Sequence, residues 1–242
     1  MKGKGRIYIL LLILMNNGFL LLGQSLSFYG IIPSISLSKD ISEKYRLNLF
    51  TSTTIDAFSR EISNINYPSS DLQIYIQPNL IIRPNKPFVY TMSYTYQRNN
   101  PFNSSFVNEH RIWQQVTYTK QFDELRWTNR FRIDERFIEN KSTVKYPFST
   151  RLRYQIGFSS PIFQKKCNNR PPYFLAYNEF YLSLFGAKNA WYSENWTYAG
   201  IGFTLSDKTR LEVGYLFQTL VRDQAKDLRF LHLCQINWVY NM

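Results

Sequence analysis

The sequence predicts an all-β protein, an antiparallel up-and-down transmembrane β-barrel of about ten strands, with twelve strands as the alternative. Three observations predict it: period-two alternation in one segment after another, an aromatic content of 17%, and an amphipathic stretch at residues 126–137. Alternate side chains of a strand point to opposite sides. One side of 126–137 is therefore Arg126, Thr128, Arg130, Arg132, Asp134 and Arg136. The other is Trp127, Asn129, Phe131, Ile133, Glu135 and Phe137. In a soluble sandwich the charged side would meet water and the apolar side a core. In a transmembrane barrel the apolar side meets lipid and the charged side lines the lumen.

The N-terminus favours the second arrangement. Lys2, Lys4 and Arg6 precede an apolar stretch from Ile7 to Leu22, and Gly23 follows. This is the pattern of a secretory signal peptide over residues 1–23, too short in its apolar part for a membrane span. Its removal takes away three positive charges and no acid, so the net charge falls from +12 to +9. No cysteine follows the cut, so a lipid anchor is not indicated. The rest of the chain has no apolar run near the roughly 20 residues a membrane helix needs. An exported chain of this kind is a soluble protein or a barrel. Barrels gather aromatic residues into girdles at the two membrane interfaces, which accounts for the 18 Tyr, 19 Phe and 5 Trp.

The strands follow in order. Residues 44–57 alternate Tyr45, Leu47 and Leu49 against Arg46, Asn48 and Phe50. Residues 71–83 set Ile74, Ile76 and Leu80 against Gln73, Gln77 and Asn79, and 88–97 set Phe88, Tyr90 and Met92 against Val89, Thr91 and Ser93. Segment 109–120 is mixed, 125–138 is the arginine row, and 148–159 places Arg151 and Arg153 opposite Leu152 and Tyr154. Segments 173–185, 196–205, 210–220 and 228–240 complete ten. Period two with strand-favouring residues is the primary signal for half-buried strands. Connections near Asn85, Asp123 and Asp207 are expected to be tight. Those at 59–70, 99–107, 139–146, 186–193 and 221–227 are expected to be longer, and 162–172 is long on the tight side. Tight turns at one end and long loops at the other are a mark of outer-membrane barrels, whose short turns are periplasmic. Bacterial single-chain barrels have even strand numbers, so residues 24–43 read as a lead segment outside a barrel of 44–242, with 26–38 an eleventh strand candidate.

The lumen candidates are Arg126, Arg130, Arg132, Asp134, Arg136, Arg151 and Arg153, with Glu179, Arg210 and Glu212 across the barrel. One reading is structural, an arginine and carboxylate network filling a small barrel, because buried charges must pair. The other is an anion path, since guanidinium groups bind carboxylate and phosphate bidentately and arginine rings select anions in pores. Glu109 beside His110 is the only visible start for acid–base chemistry, and no nucleophile or metalloprotease motif accompanies it. An enzyme acting on lipid or peptide at the outer rim is thus the alternative to a non-enzymatic barrel. Two histidines and two cysteines, Cys167 and Cys234, supply neither a multi-histidine metal site nor a disulfide framework, and no cofactor is expected. Gly200 and Gly202 share a face and suggest close packing against a large neighbour. The arginines form no basic tail or patch, so nucleic acid is not an expected partner. The expected partners are outer-membrane lipid, the barrel-assembly machinery during biogenesis, and a small anionic solute.

Several phrases, in this order, resemble an uncharacterised outer-membrane family of Bacteroidetes-type bacteria, domain-of-unknown-function family 2490. They are Glu109-His110-Arg111 with Gln114-Gln115, Arg130-Phe131-Arg132-Ile133-Asp134-Glu135-Arg136-Phe137, and Arg151-Leu152-Arg153-Tyr154-Gln155. Ser160-Pro161, Tyr177-Asn178-Glu179-Phe180, Gly200-Ile201-Gly202-Phe203 and Leu211-Glu212-Val213-Gly214-Tyr215 follow. The family pattern often carries an arginine where this chain has Asn195-Trp196. The resemblance implies a porin-like outer-membrane barrel of a Gram-negative cell and no established activity.

Overall fold

The computed structural model describes residues 24–62, 65–85, 87–163, 170–186, 191–223 and 227–242. The proposed signal peptide lies outside them. Among the described residues every regular element is a strand: β1 (Gln24–Asp40), β2 (Tyr45–Asp56), β3 (Arg60–Ile62), β4 (Ile65–Tyr67), β5 (Ser70–Asn85), β6 (Phe88–Asn99) and β7 (Val107–Phe122). They continue with β8 (Leu125–Ile138), β9 (Phe148–Pro161), β10 (Tyr173–Phe185), β11 (Tyr192–Thr204), β12 (Thr209–Asp223) and β13 (Asp227–Asn241). The short β3–β4 hairpin stands apart in the loop between β2 and β5, and the other strands close a barrel in the order β1-β13-β12-β11-β10-β9-β8-β7-β6-β5-β2. No helix of the described residues is long and apolar enough to cross a membrane.

The barrel has eleven strands, not ten or twelve. The segment read as a lead outside the barrel is β1, which pairs antiparallel with β2 and parallel with β13, from Gln24 opposite Asp227 to Ser38 opposite Asn241. The physical reason is arithmetic. Successive hairpins reverse direction, so with an odd count the first and last strands run the same way and closure is parallel. Pro33 has no N–H to donate, and the β1–β2 ladder is interrupted at Ile32 and Pro33. The β5–β6 ladder breaks likewise at Gln77 and Pro78, where the Ser93 hydroxyl donates to the Pro78 carbonyl at 2.6 Å.

The tight turns gather at one end. Phe122 faces Leu125 across a two-residue turn in which Asp123 takes φ 50°, a left-handed conformation that Asp tolerates better than most residues. The last residue lies at this end too, where the Met242 N–H donates to the Ser38 carbonyl at 2.8 Å. β1 begins at the opposite, long-loop end. The β12–β13 connection, expected to be long, is short: β12 reaches Asp223 and β13 starts at Asp227.

The barrel wall is amphipathic in the opposite sense to a soluble protein. On β6, Thr91, Ser93, Thr95 and Gln97 are buried while Phe88, Tyr90, Met92 and Tyr94 are exposed. On β8, Arg132 and Asp134 are buried while Phe131 and Ile133 are exposed. A band of exposed aliphatic residues encircles the outside, among them Ile35, Leu49, Ile76, Leu80, Ile112, Ile133, Ile201 and Ile236. Aromatic clusters flank it. At the tight-turn end Tyr118 contacts Phe88 and Trp127, and Trp127 contacts Phe122. Towards the long-loop end His110 packs with Tyr94, Tyr96 and Tyr146, and His232 with Tyr29, Tyr215 and Phe217. Each histidine Nδ1 is hydrogen-bonded to a tyrosine hydroxyl, Tyr94 for His110 and Tyr215 for His232.

The interior divides into two halves. One is apolar, a cluster of Phe28, Ile32, Tyr198, Leu216, Leu231 and Leu233 contributed by β1 and β11–β13. The other, on β7–β10, is charged. Glycines let large rings fill the space between: a Cβ at Gly202 would stand 2.2 Å from the Tyr173 ring, and one at Gly200 2.4 Å from the Tyr198 hydroxyl. The close packing expected of these two glycines is what the barrel contains.

Candidate functional site

The charged half of the lumen is built by register. Pairing of β7 with β8 sets Arg111 opposite Arg136, and pairing of β8 with β9 sets Arg132 opposite Arg153. Like charges directly opposite each other destabilise a strand pair. Here carboxylates from neighbouring register positions span them. Glu109 accepts hydrogen bonds from Arg111 Nε and from Arg136, whose Nε is at 2.6 Å and Nη2 at 3.2 Å. Asp134 accepts from Arg132 Nε at 2.5 Å and from Arg151 Nε and Nη2 at 3.2 and 3.0 Å, with Arg153 Nη1 at 3.8 Å. Glu179 accepts from Arg130 Nη2 at 2.7 Å, Arg153 Nε at 2.8 Å and the Tyr181 hydroxyl at 3.1 Å. Glu194 accepts from Arg151 Nη1 at 2.8 Å and from the Trp196 indole at 3.2 Å.

Aromatic faces complete the cluster. The Arg132 guanidinium lies 3.7 Å from the Trp113 ring centre, and Arg153 and Arg151 lie 4.3 and 4.8 Å from that of Tyr181. A planar guanidinium suits both contacts, bidentate to a carboxylate and stacked on a ring. Side-chain exposures are 5% for Arg132, 3% for Arg151, 8% for Arg153, 0% for Asp134 and 2% each for Glu109 and Glu179. Arg130 and Arg136 are more open, at 24% and 18%. Charges taken this far out of water are tolerable only when paired and hydrogen-bonded.

Of the residues expected in the lumen, the structure brings together Arg130, Arg132, Asp134, Arg136, Arg151, Arg153 and Glu179. Three stand apart. Arg126 is exposed towards the tight-turn end and makes no ion pair among the described residues. Arg210 and Glu212 lie near the same end on β12, where Glu212 accepts from the Tyr173 hydroxyl at 2.7 Å and from Asn237 Nδ2 at 3.1 Å. Glu109, Arg111, Glu194, Tyr181 and Trp113 were not expected there. Parity supplied the signal for two of them. Adjacent strand residues face opposite sides, so Glu109 and Arg111 share a face and His110 takes the other. Glu109 is accordingly buried in the lumen and His110 faces outward, which removes their pairing as acid and base.

Elsewhere at the long-loop end, Glu139 accepts the Asn108 backbone N–H at 2.9 Å and lies 3.1 Å from Lys141 Nζ. The amide first, then the lysine, hold its carboxyl below the usual range. A cleft of about 310 Å³ between loops is lined by Ser69, Ser70, Asp71, Asn100, Phe102 and Asn103, a set with one carboxylate and no histidine. No group of His, Cys, Asp and Glu suited to a metal ion occurs among the described residues. Cys234 is free and exposed on the outer wall, and Cys167 lies outside the described residues.

Residues 33–229 match the family model described as Protein of unknown function (DUF2490). The chain belongs to that family. The match begins inside β1 and ends inside β13, so all of the charged cluster falls within the family's extent. No curated protein and no solved structure matches the chain. The family carries no assigned activity, and the reading of this DUF2490 member therefore rests on its geometry.

Proposed function

We propose that this DUF2490 protein is an outer-membrane β-barrel, inserted with its tight turns on the periplasmic side, whose charged lumen is a closed polar core. In this reading it serves as a structural or accessory membrane protein, with its long loops presented outside the cell. The observation that carries the proposal is the inverted wall, an exposed aliphatic band between two sets of aromatic rings enclosing buried charge. Lipid is the solvent in which such a wall is stable, and aromatic girdles at both interfaces belong to that setting. The N-terminal pattern of Lys2, Lys4, Arg6 and the apolar stretch after them supports export. Outer-membrane lipid and, during biogenesis, the barrel-assembly machinery are its partners.

Burial supports the closed state. In a water-filled pore the guanidinium groups of Arg132, Arg151 and Arg153 would be hydrated, whereas each is at most 8% exposed. A second reading is a narrow anion-selective channel. It is favoured by the row of Arg130, Arg132 and Arg136 along β8, open at both of its ends. Single-channel recording of the folded protein in a planar bilayer under a salt gradient separates the two. The closed core predicts no unitary current steps. Anion-selective steps would replace it with the channel. An enzyme at the outer rim would need residues other than the separated Glu109 and His110.

A further inference from the structure

We propose that one small monovalent anion of chloride size is bound inside the barrel against Arg132, as the counter-ion that completes the charged cluster. The proposal rests on the closed lumen, since water in an open one would neutralise the need. Its first support is a charge count of the buried members. Arg111, Arg132, Arg151 and Arg153 are at most 8% exposed, and so are Glu109, Asp134 and Glu179, whereas Arg130, Arg136 and Glu194 reach water at 24%, 18% and 21%. Within the cluster four buried positive charges face three buried negative ones; Asp56, a fourth buried carboxylate among the described residues, lies on β2 outside it. An uncompensated charge in a low-dielectric interior is strongly unfavourable, and one monovalent anion removes it.

The second support locates the anion. Arg132 Nη2 is buried and has no hydrogen-bond partner. Arg132 engages a single carboxylate oxygen through Nε, whereas Arg151 engages two carboxylates and Arg153 adds the Tyr181 hydroxyl. Two positions back on the same face, Arg130 Nε is also buried without a partner. Its Nη2 is held by Glu179, and strand parity puts Arg130 and Arg132 on the same face of β8. Gln115 and Thr117, the register partners of Arg132 and Arg130 on β7, supply neutral polar neighbours. Two guanidinium N–H groups that their carboxylates, Asp134 and Glu179, leave unused make a site for an anion and not for a cation.

The test is the unfolding temperature of the folded barrel in detergent, refolded without chloride and titrated with chloride at constant ionic strength, gluconate making up the balance. A saturable rise on the order of 5 °C is expected from mass action at high occupancy. It should vanish in Arg132→Gln and persist in Arg126→Gln, which removes a positive charge from the same strand outside the cluster. Identical curves in chloride and gluconate for the unaltered protein would overturn the proposal, as would an undiminished response in Arg132→Gln. If Arg132→Gln does not fold, bromide-soaked crystals of the unaltered protein decide. An anomalous peak within hydrogen-bonding distance of Arg132 Nη2 supports the site, and no peak there overturns it. The titration involves no membrane and no current. Its failure would leave the closed lumen standing, and current steps in the bilayer would refute the closed lumen whatever the halide does.

Discussion

Asp134→Asn is expected to lower the stability of the barrel by about 3–5 kcal/mol, the range for removing one partner of a buried ion pair. The substitution keeps the shape of the side chain and deletes its charge. Asp134 is fully buried and is the acceptor for both Arg132 and Arg151, with Arg153 3.8 Å away. Its loss leaves Arg132 with no carboxylate and Arg151 with only the half-open Glu194. The measurement is equilibrium urea unfolding in detergent micelles, followed by tryptophan fluorescence. Asp123→Asn at the exposed β7–β8 turn is the control and should change stability by no more than about 0.5 kcal/mol. A cost for Asp134→Asn below about 1 kcal/mol would mean that the guanidinium groups are hydrated, and the closed polar core would be wrong.

Ile133→Lys, one residue away and on the opposite face, should be costly for a different reason. Ile133 is 45% exposed on the outer wall. At an exposed site of a soluble protein this exchange would alter stability by about 0.5 kcal/mol or less. On a lipid-facing barrel wall near the midplane, a lysine costs about 2–4 kcal/mol. Folding equilibria of the two proteins into lipid vesicles are therefore expected to differ by that amount, with a smaller difference in detergent micelles. Equal stability in vesicles would mean that the wall of the barrel at Ile133 does not face lipid.

Much of this architecture was legible because period two is a geometric necessity of strands. The residues 126–137 divide in the structure as they divide on paper, with Arg132 and Asp134 inside and Phe131 and Ile133 outside. The strand count was not legible. β1 closes against β13 in parallel, and a parallel pair needs no hairpin turn to announce it. Its inner face of Ser34, Ser36 and Ser38, and Pro33 in its middle, also weaken the strand pattern. The lumen cluster was half legible. The arginines and Asp134 declared themselves by parity on β8 and β9, but the other bridging carboxylates come from β7, β10 and β11, and register across strands decides which acid meets which arginine. Glu109 shows the difficulty: beside His110 it suggested acid–base chemistry, while its true partners are Arg111, two residues along, and Arg136 across the ladder. Arg210 and Glu212 had the right parity and the wrong height, a distinction that alternation cannot make.

The most direct test of a lipid-facing wall around a buried charged core is fluorescence quenching by brominated acyl chains. Two proteins would be placed in bilayers of brominated lipid. One keeps only Trp113, which is 3% exposed in the lumen; the other has Phe131→Trp, at an outer-wall position that is 54% exposed, as its sole tryptophan. Strong quenching at position 131 with Trp113 left bright is the predicted result. A tryptophan at position 131 that brominated lipid does not quench would contradict it.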